Sequence, residues 1–382
     1  MKYVVQNLLN FNPPYSGNLM KSLLALEKAM LDSEMAMIYL FPKEAKERDW
    51  VRDLISEGKR VYFRNSTVFE ALNSINNDYP VSIIHSHFSY IDDYKGIIRF
   101  KRDHPEIKTV FHHHDANFVP YVSKGYPFPV ETARKIKKRA EREIAKRIIM
   151  SDAHIACGKD VYNNLKGLNF NGFCCIENAV DFRRLDRYAE IGRNGFNNKY
   201  NRTAILIFGT DFERKGVDIA IKAIAPIAEE YGISLCIVMA VNVDENIKKI
   251  DRLMGEVPEW VKILPPREDV ASYYRSADLF ISPSRAEGMT YSVIECAYCK
   301  CPMIVSDICG QGHARAIPGA KIVENENTEM LREAIIESIT VGNGRLEEAA
   351  DYVKENYSLD NWCNKILDLY NNLLENGKRN AE

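Results

Sequence analysis

Short apolar runs bounded by turn residues alternate along the chain with stretches whose apolar positions recur every three or four residues. The runs at 2–9, 35–41, 60–64, 81–88 and 108–115 read as strands. A helix from about 18 to 31 follows the first, and a long helix over 131–150 follows the last. After a polar run at 194–201 a second series begins, with strands at 204–208, 234–241, 261–264, 279–281 and 303–305 and helices at 217–228, 266–278, 328–340 and 346–355. The last stretch, 360–375, places Trp362, Ile366, Leu369, Tyr370 and Leu373 on one stripe of an amphipathic helix. Alternation of this kind predicts α/β folding. A chain of 382 residues is long enough for two such domains, each with its own core.

Composition narrows the function classes. With 46% hydrophobic and 27% charged residues the chain is ordinary globular protein, and a formal net charge of −2 offers no general attraction for nucleic acid or a membrane. No apolar run approaches the ~18 residues of a transmembrane helix. The opening MKYVVQNLLNF reads as a first strand rather than a signal peptide, so a cytoplasmic protein is expected. Nine cysteines, an odd number spread through core-like segments, fit free thiols in a reducing compartment. Cys296, Cys299 and Cys301 form a C-x-x-C-x-C string, but without a paired second knuckle it is not read as a zinc site. Charge is concentrated at 131–150, where eight Lys or Arg stand against three Glu. A solvated face laced with i,i+4 pairs and peripheral contact with anionic lipid account for this helix equally well.

The chemistry is expected at 282–307. Leu279-Phe280-Ile281 runs into Ser282-Pro283 and then the polar turn Ser284-Arg285-Ala286-Glu287-Gly288. Val293, Ile294, Ala297 and Tyr298 follow at helical spacing, and Met303-Ile304-Val305 is a short strand. A glycine turn therefore lies at the carboxyl end of a strand, where open α/β sheets hold ligands. Glu287 stands on the turn and Glu295 within the helix, about 12 Å apart at helical rise. Thr290 reads as the N-cap, leaving the amides of Gly288, Met289, Thr290 and Tyr291 as unpaired donors suited to a phosphate. A second glycine turn, 209–216, carries the adjacent cations Arg214 and Lys215, able to neutralise a diphosphate. An earlier turn ends in Ser16-Gly17-Asn18, where Gly17 lets backbone amides approach a ligand closely. His85 and His87 share one face of their strand by the period of two, and His112, His113 and His114 lie at the end of the next. Adjacent carboxylates are few, so hydrogen-bonded histidines are read there rather than a metal site, and spacing does not decide which of the last three enters a cleft.

The block from Ser282 to Asp307, with PS before Glu287, EG at it, Glu295 completing E-x7-E, and P-x-x-x-S-D after the helix, resembles the signature of the family 4 retaining glycosyltransferases. Lys215-Gly216 is similar to the family's G-R-x5-K-G pattern. Thr210 stands where the family has its arginine, and Arg214 is expected to supply that charge. His114-Asp115 resembles the family's H-D pair, and CIENAVDFRRL the segment that closes its first domain.

The resemblance implies the GT-B fold, two Rossmann-like α/β domains facing across a cleft: 1–185, joined by the terminal helix from about 360 to 382, and 200–358. It implies that Glu287 hydrogen-bonds the donor sugar, Glu295 the ribose hydroxyls, and that His114 lines the sugar face. Gly17, Arg214, Lys215, Gly288, Met289 and Thr290 would hold the donor diphosphate, with no metal and no other cofactor. The expected activity is metal-independent, retaining transfer from a nucleoside-diphosphate sugar, a UDP-sugar ahead of a GDP-sugar, to a glycan or lipid-linked acceptor hydroxyl. The rival readings are a nucleotide-sugar epimerase of the same fold and a non-catalytic sugar-nucleotide-binding subunit of a glycan assembly complex. A glycoside hydrolase needs two carboxylates within ~5–10 Å flanking one bond, which a turn and helix pair on a single unit does not provide.

Overall fold

The computed structural model describes residues 1–88, 91–115, 132, 135, 150–188, 202–342 and 344–379. The basic stretch 131–150, apart from three positions, and the polar run 194–201 lie outside the described residues. The chain divides into two compact units, Met1–Ala179 with Leu359–Glu382, and Val180–Ser358.

The first unit holds a seven-stranded sheet in the order β3-β2-β1-β4-β5-β6-β7. Its strands are β1 Lys2–Asn7, β2 Met35–Pro42, β3 Val61–Arg64, β4 Val81–His87, β5 Lys108–His113, β6 Ala153–Ala156 and β7 Phe173–Cys175. The second unit holds a six-stranded sheet in the order β10-β9-β8-β11-β12-β13. These are β8 Thr203–Phe208, β9 Ile233–Val238, β10 Val261–Leu264, β11 Leu279–Ser282, β12 Met303–Asp307 and β13 Lys321–Glu324. Every pairing is parallel. Parallel strands need crossover connections, and helices supply them, so both sheet faces are covered and the strands read as apolar runs. Each unit is a Rossmann-like α/β domain.

In each sheet the order reverses beside the first strand. β1 has β2 on one side and β4 on the other, and β8 has β9 on one side and β11 on the other. Loops leaving the two strands at such a point run in opposite directions and open a crevice beyond their carboxyl ends. The histidine-bearing ends of β4 and β5 and the turns after β8 and β11 lie at or beside these two places.

Several boundaries differ from the expected ones. Residues 180–185 belong to the second unit, because the Val180 amide donates to Tyr357 O at 2.9 Å, Val180 bridges Ser358, and Arg184 pairs with Glu295. The regular helix after the 209–216 turn ends at Ile224. The helix expected from 266 starts only at Ala271, since Pro265 and Pro266 keep the approach extended.

The terminal helix, Leu359–Arg379, is counted with the first unit and packs on helix Gly17–Ala29. Trp362, Ile366 and Tyr370 are buried in the core beside Leu23, Leu26 and Tyr39, while Leu369 and Leu373 are partly buried at its edge. Among the described residues no helix is long and apolar enough to cross a membrane. All nine cysteines are free. Replacing the fully buried Ile366 by Ala should cost about 2–5 kcal/mol, the range for losing a buried aliphatic side chain and leaving a cavity. Denaturant unfolding measures this, and a loss below about 0.5 kcal/mol would contradict the docking of this helix.

Candidate functional site

The turns after β8 and β11 are drawn together by contacts that the sequence only partly foreshadows. Gly216 has φ +69°, and a Cβ there would lie 2.0 Å from Pro283 O, so only glycine allows the turns to approach this closely. The Arg285 amide donates to Arg214 O at 2.7 Å. Its side chain is 8% exposed, and the guanidinium forms a two-pronged pair with Asp218 at 2.7 and 2.8 Å and also donates to Glu326 and to Glu213 O. Arg285 thus pins one turn to the other through a buried planar fork.

On this frame the expected residues meet. Lys215 Nζ lies 2.6 Å from Glu287 Oε1, and Arg214 Nη1 lies 3.0 Å from Glu287 Oε2. Arg214 also donates to Ala286 O and pairs with the half-exposed Asp211. The Glu287 side chain is 9% exposed. Burial pushes its carboxyl up, and the charges of Lys215 and Arg214 outweigh that, so its pKa stays below the ordinary value. Glu287 is therefore ionised at neutral pH, with two cations already placed at the carboxyl ends of adjacent strands.

The helix Tyr291–Tyr298 begins where expected, with Thr290 at its N-cap position. One expectation needs correcting: the Thr290 amide is not an open donor, because it donates to Gly310 O at 3.3 Å. The Thr290 hydroxyl, buried, makes no capping bond and has no hydrogen-bond partner. Gly310 has φ +93°, and a Cβ there would meet Glu287 O at 2.3 Å, so the loop after β12 lies directly against the backbone of Glu287 and Gly288. Met289 is buried beside it.

Glu295 is not a surface glutamate. It is 4% exposed, ion-paired to Arg184, and accepts a hydrogen bond from Tyr274 Oη at 3.1 Å. Burial lowers the Arg184 pKa and raises that of Tyr274. Arg184 and Tyr274 were not singled out in the sequence. The nearby cysteines behave as packed thiols: Cys296 Sγ donates to Cys301 O at 3.2 Å, and burial holds its pKa well up.

In the first unit Gly17 opens the helix Gly17–Ala29, with open space beside its Cα. Four imidazoles from β4 and the end of β5 share one sheet face, as their period predicts. Ring centroids are 4.3 Å apart for His85 and His87 and 4.3 Å for His112 and His114. His85, His87 and His112 are buried, and His114 alone of the four keeps part of its surface exposed. Burial and the neighbouring rings hold the first three well below the ordinary 6.5, and burial takes His114 down to about 3. His113 lies on another side of its strand, against His154 and Phe170. His114 is thus the member of the triplet that reaches solvent.

One nitrogen from each of His85, His87 and His112 falls within 4.8 Å of the others, a spacing able to gather round a metal ion. Both nitrogens of His87 and Nδ1 of His85 are already engaged in hydrogen bonds, whereas neither nitrogen of His112 has a partner. Hydrogen bonding thus accounts for His87 but leaves His85 Nε2 and both nitrogens of His112 without a partner among the described residues.

Comparison with known proteins agrees with this geometry. Residues 202–340, which contain both turns, match the family model described as Glycosyl transferases group 1. The lipopolysaccharide glucosyltransferase WaaG of Escherichia coli K12 is 29% identical over 151 residues, covering 39% of this chain and 40% of the relative. The lipopolysaccharide core biosynthesis mannosyltransferase LpcC of Rhizobium leguminosarum bv. viciae is 24% identical over 185 residues, covering 45% and 52%. The chain thus spans about half or less of these relatives' length in the matched stretches. Sucrose-phosphate synthase from Thermosynechococcus elongatus superposes with a TM-score of 0.78 at 16% identity, covering 98% of this chain and all of the other. HepE of Anabaena, in complex with UDP-glucose, does so with 0.74 at 14% identity, covering 97% and 100%. These likenesses establish the fold, the paired Rossmann-like domains of the GT-B class.

The low histidine pKa values set a pH dependence. A neutral buried histidine refuses a proton that the unfolded chain accepts below about 6.5, so its contribution to stability is complete above that pH and is lost as pH falls. Unfolding free energy should fall below pH 6.5 by about 1.4 kcal/mol per pH unit for each histidine involved. Denaturant midpoints at pH 7.5, 6.5 and 5.5 measure this, and equal midpoints at all three would contradict it.

Proposed function

We propose that the protein is a retaining glycosyltransferase that moves a sugar from a nucleoside-diphosphate donor, a UDP-sugar ahead of a GDP-sugar, to a hydroxyl of a glycan or lipid-linked acceptor. The observation that carries this reading is the meeting of Arg214, Lys215 and Glu287 at the carboxyl ends of β8 and β11. The match to the glycosyltransferase group 1 model and the lipopolysaccharide glycosyltransferases among the relatives support it. A structural neighbour crystallised with UDP-glucose supports the choice of donor.

Breaking the bond to the sugar leaves charge on the departing diphosphate and positive character on the sugar carbon. Arg214 and Lys215 neutralise the first, assisted by the helix end at Gly288 and Met289, so no divalent ion is assigned to that task. Binding a diphosphate requires the two cations to share themselves between Glu287 and the phosphates. In this reading that frees a Glu287 oxygen to accept a hydrogen bond from a sugar hydroxyl. Glu295, released from or shared with Arg184, holds the ribose hydroxyls, and His114 contacts the sugar. Attack on the face the diphosphate leaves retains configuration, and a leaving phosphate oxygen takes the acceptor proton.

A screen of UDP- and GDP-sugars by thermal stabilisation identifies the donor, since a ligand that binds only the folded form raises the melting point with occupancy. Arg214→Ala combined with Lys215→Ala should weaken nucleoside-diphosphate binding by more than about tenfold, about 1.4 kcal/mol. Wild-type affinity in the double variant would remove these cations from the site. Glu287→Ala should abolish transfer while the protein stays folded, and an active Glu287→Ala enzyme would contradict the role given to the carboxylate.

A further inference from the structure

Three histidines of the first unit, His85, His87 and His114, belong to a continuous hydrogen-bonded chain that runs from the terminal helix to His114, and one amide sets its direction. Gln6, fully buried on β1, donates from Nε2 to Tyr370 Oη at 3.1 Å, and its Oε1 lies 2.9 Å from His87 Nε2. An amide oxygen only accepts, so His87 carries its proton on Nε2. A neutral imidazole has one proton, which leaves His87 Nδ1 as a lone pair. His114 Nε2, 2.8 Å from that Nδ1, must therefore be the donor. His114 then presents Nδ1 as an acceptor. At the other end Tyr370 Oη, already accepting from Gln6, gives its own proton to His85 Nδ1 at 2.5 Å.

Neutrality of every ring follows from the packing. The four imidazoles lie within 4.3–5.4 Å of their neighbours, centroid to centroid, and among the described residues no carboxylate is hydrogen-bonded to any of them. One imidazolium buried in such a group would lose its hydration without gaining a counter-ion, and a second would be repelled by the first.

We propose that Gln6 and Tyr370 are positioning residues that lock His114 as the neutral tautomer protonated on Nε2, so that a bound sugar meets a hydrogen-bond acceptor at Nδ1 and never an imidazolium. A sugar hydroxyl donates to that nitrogen, and a hydroxyl replaced by hydrogen, or inverted away from it, forfeits the bond. The terminal helix, through Tyr370, thereby acts on specificity without touching the substrate. This rests on the reading that His114 contacts the transferred sugar, but the tautomer itself does not.

Nitrogen-15 NMR of the histidine-labelled full-length protein, without substrate, tests the chain directly, because protonated and unprotonated ring nitrogens resonate far apart. At pH 7.5 His114, assigned by loss of its signals in His114→Gln, should show a protonated Nε2 and a bare Nδ1, and His87 likewise. A proton on His114 Nδ1 would mean that the Gln6 amide is reversed, and would overturn the proposal. So would Zn²⁺ binding at one equivalent with joint shifts of His85, His87 and His112, since that requires a nitrogen the chain has assigned to hydrogen bonding. Tyr370→Phe removes the acceptor that orients Gln6 and should turn the single His114 tautomer into a mixture, with the His113 and His154 signals unmoved as the check on folding. Its kcat should fall in proportion to the fraction of His114 no longer protonated on Nε2, about twofold for an equal mixture, with donor KM unchanged. An unmixed tautomer in a folded Tyr370→Phe protein would overturn the positioning role. Should no nucleotide sugar be turned over, the tautomer result still stands or falls alone, so failure of the transferase reading and failure of the chain are told apart.

Discussion

A carboxylate held between two cations is the interaction around which the second unit is arranged. Glu287 alone, buried at the end of β11, would be driven towards its neutral form, and Arg214 and Lys215 alone would repel each other. Together the two cations keep Glu287 ionised in a region mostly shielded from water. A buried ion pair contributes little net stability, because desolvation offsets most of the attraction, yet it keeps charged groups fixed where an anionic ligand can exchange for one of the partners. The rest of the neighbourhood maintains that condition. Gly216 lets the turns touch, Arg285 ties them to Asp218, and Gly310 brings a third loop against the carboxylate's own backbone.

Both units place their polar groups by the same geometric device. Parallel strand order reverses beside β1 and beside β8, and the polar residues gather at the carboxyl ends of the strands around those points. In the second unit the gathered groups are charged and suit phosphate. In the first they are neutral imidazoles, an amide and a phenol, which suit hydroxyl groups instead. The contrast follows from what surrounds each set: the second has paired counter-ions, while the first has four rings with, among the described residues, no carboxylate hydrogen-bonded to them, and burial favours their neutral form.

Features carried by short stretches of chain were legible in the sequence. The turn with Glu287, the adjacent Arg214 and Lys215, and the shared face of His85 and His87 depend on local spacing, and the structure places them as spacing implies. The stripe of the terminal helix was legible for the same reason. Long-range pairings were not. Arg184 and Glu295 are 111 positions apart, and Gln6 and Tyr370 are 364 apart, so no local pattern joins them. The Thr290 amide was misjudged because its partner, Gly310, comes from a loop whose approach depends on tertiary packing. Helix Val68–Asp78 could have been found from Thr67 and Glu70, which form a reciprocal capping box at its start. The strand β13 is too short and too mixed in polarity to stand out before its neighbour β12 is known.

The central claim is that a nucleoside diphosphate is held at the carboxyl ends of β8 and β11 by Arg214 and Lys215. The most direct measurement is a crystal structure of the full chain soaked with UDP. The account predicts the β-phosphate within hydrogen-bonding distance of both side chains, with the ribose beside Glu295. Well-ordered UDP bound elsewhere, with the Arg214–Glu287–Lys215 contacts unchanged, would contradict it.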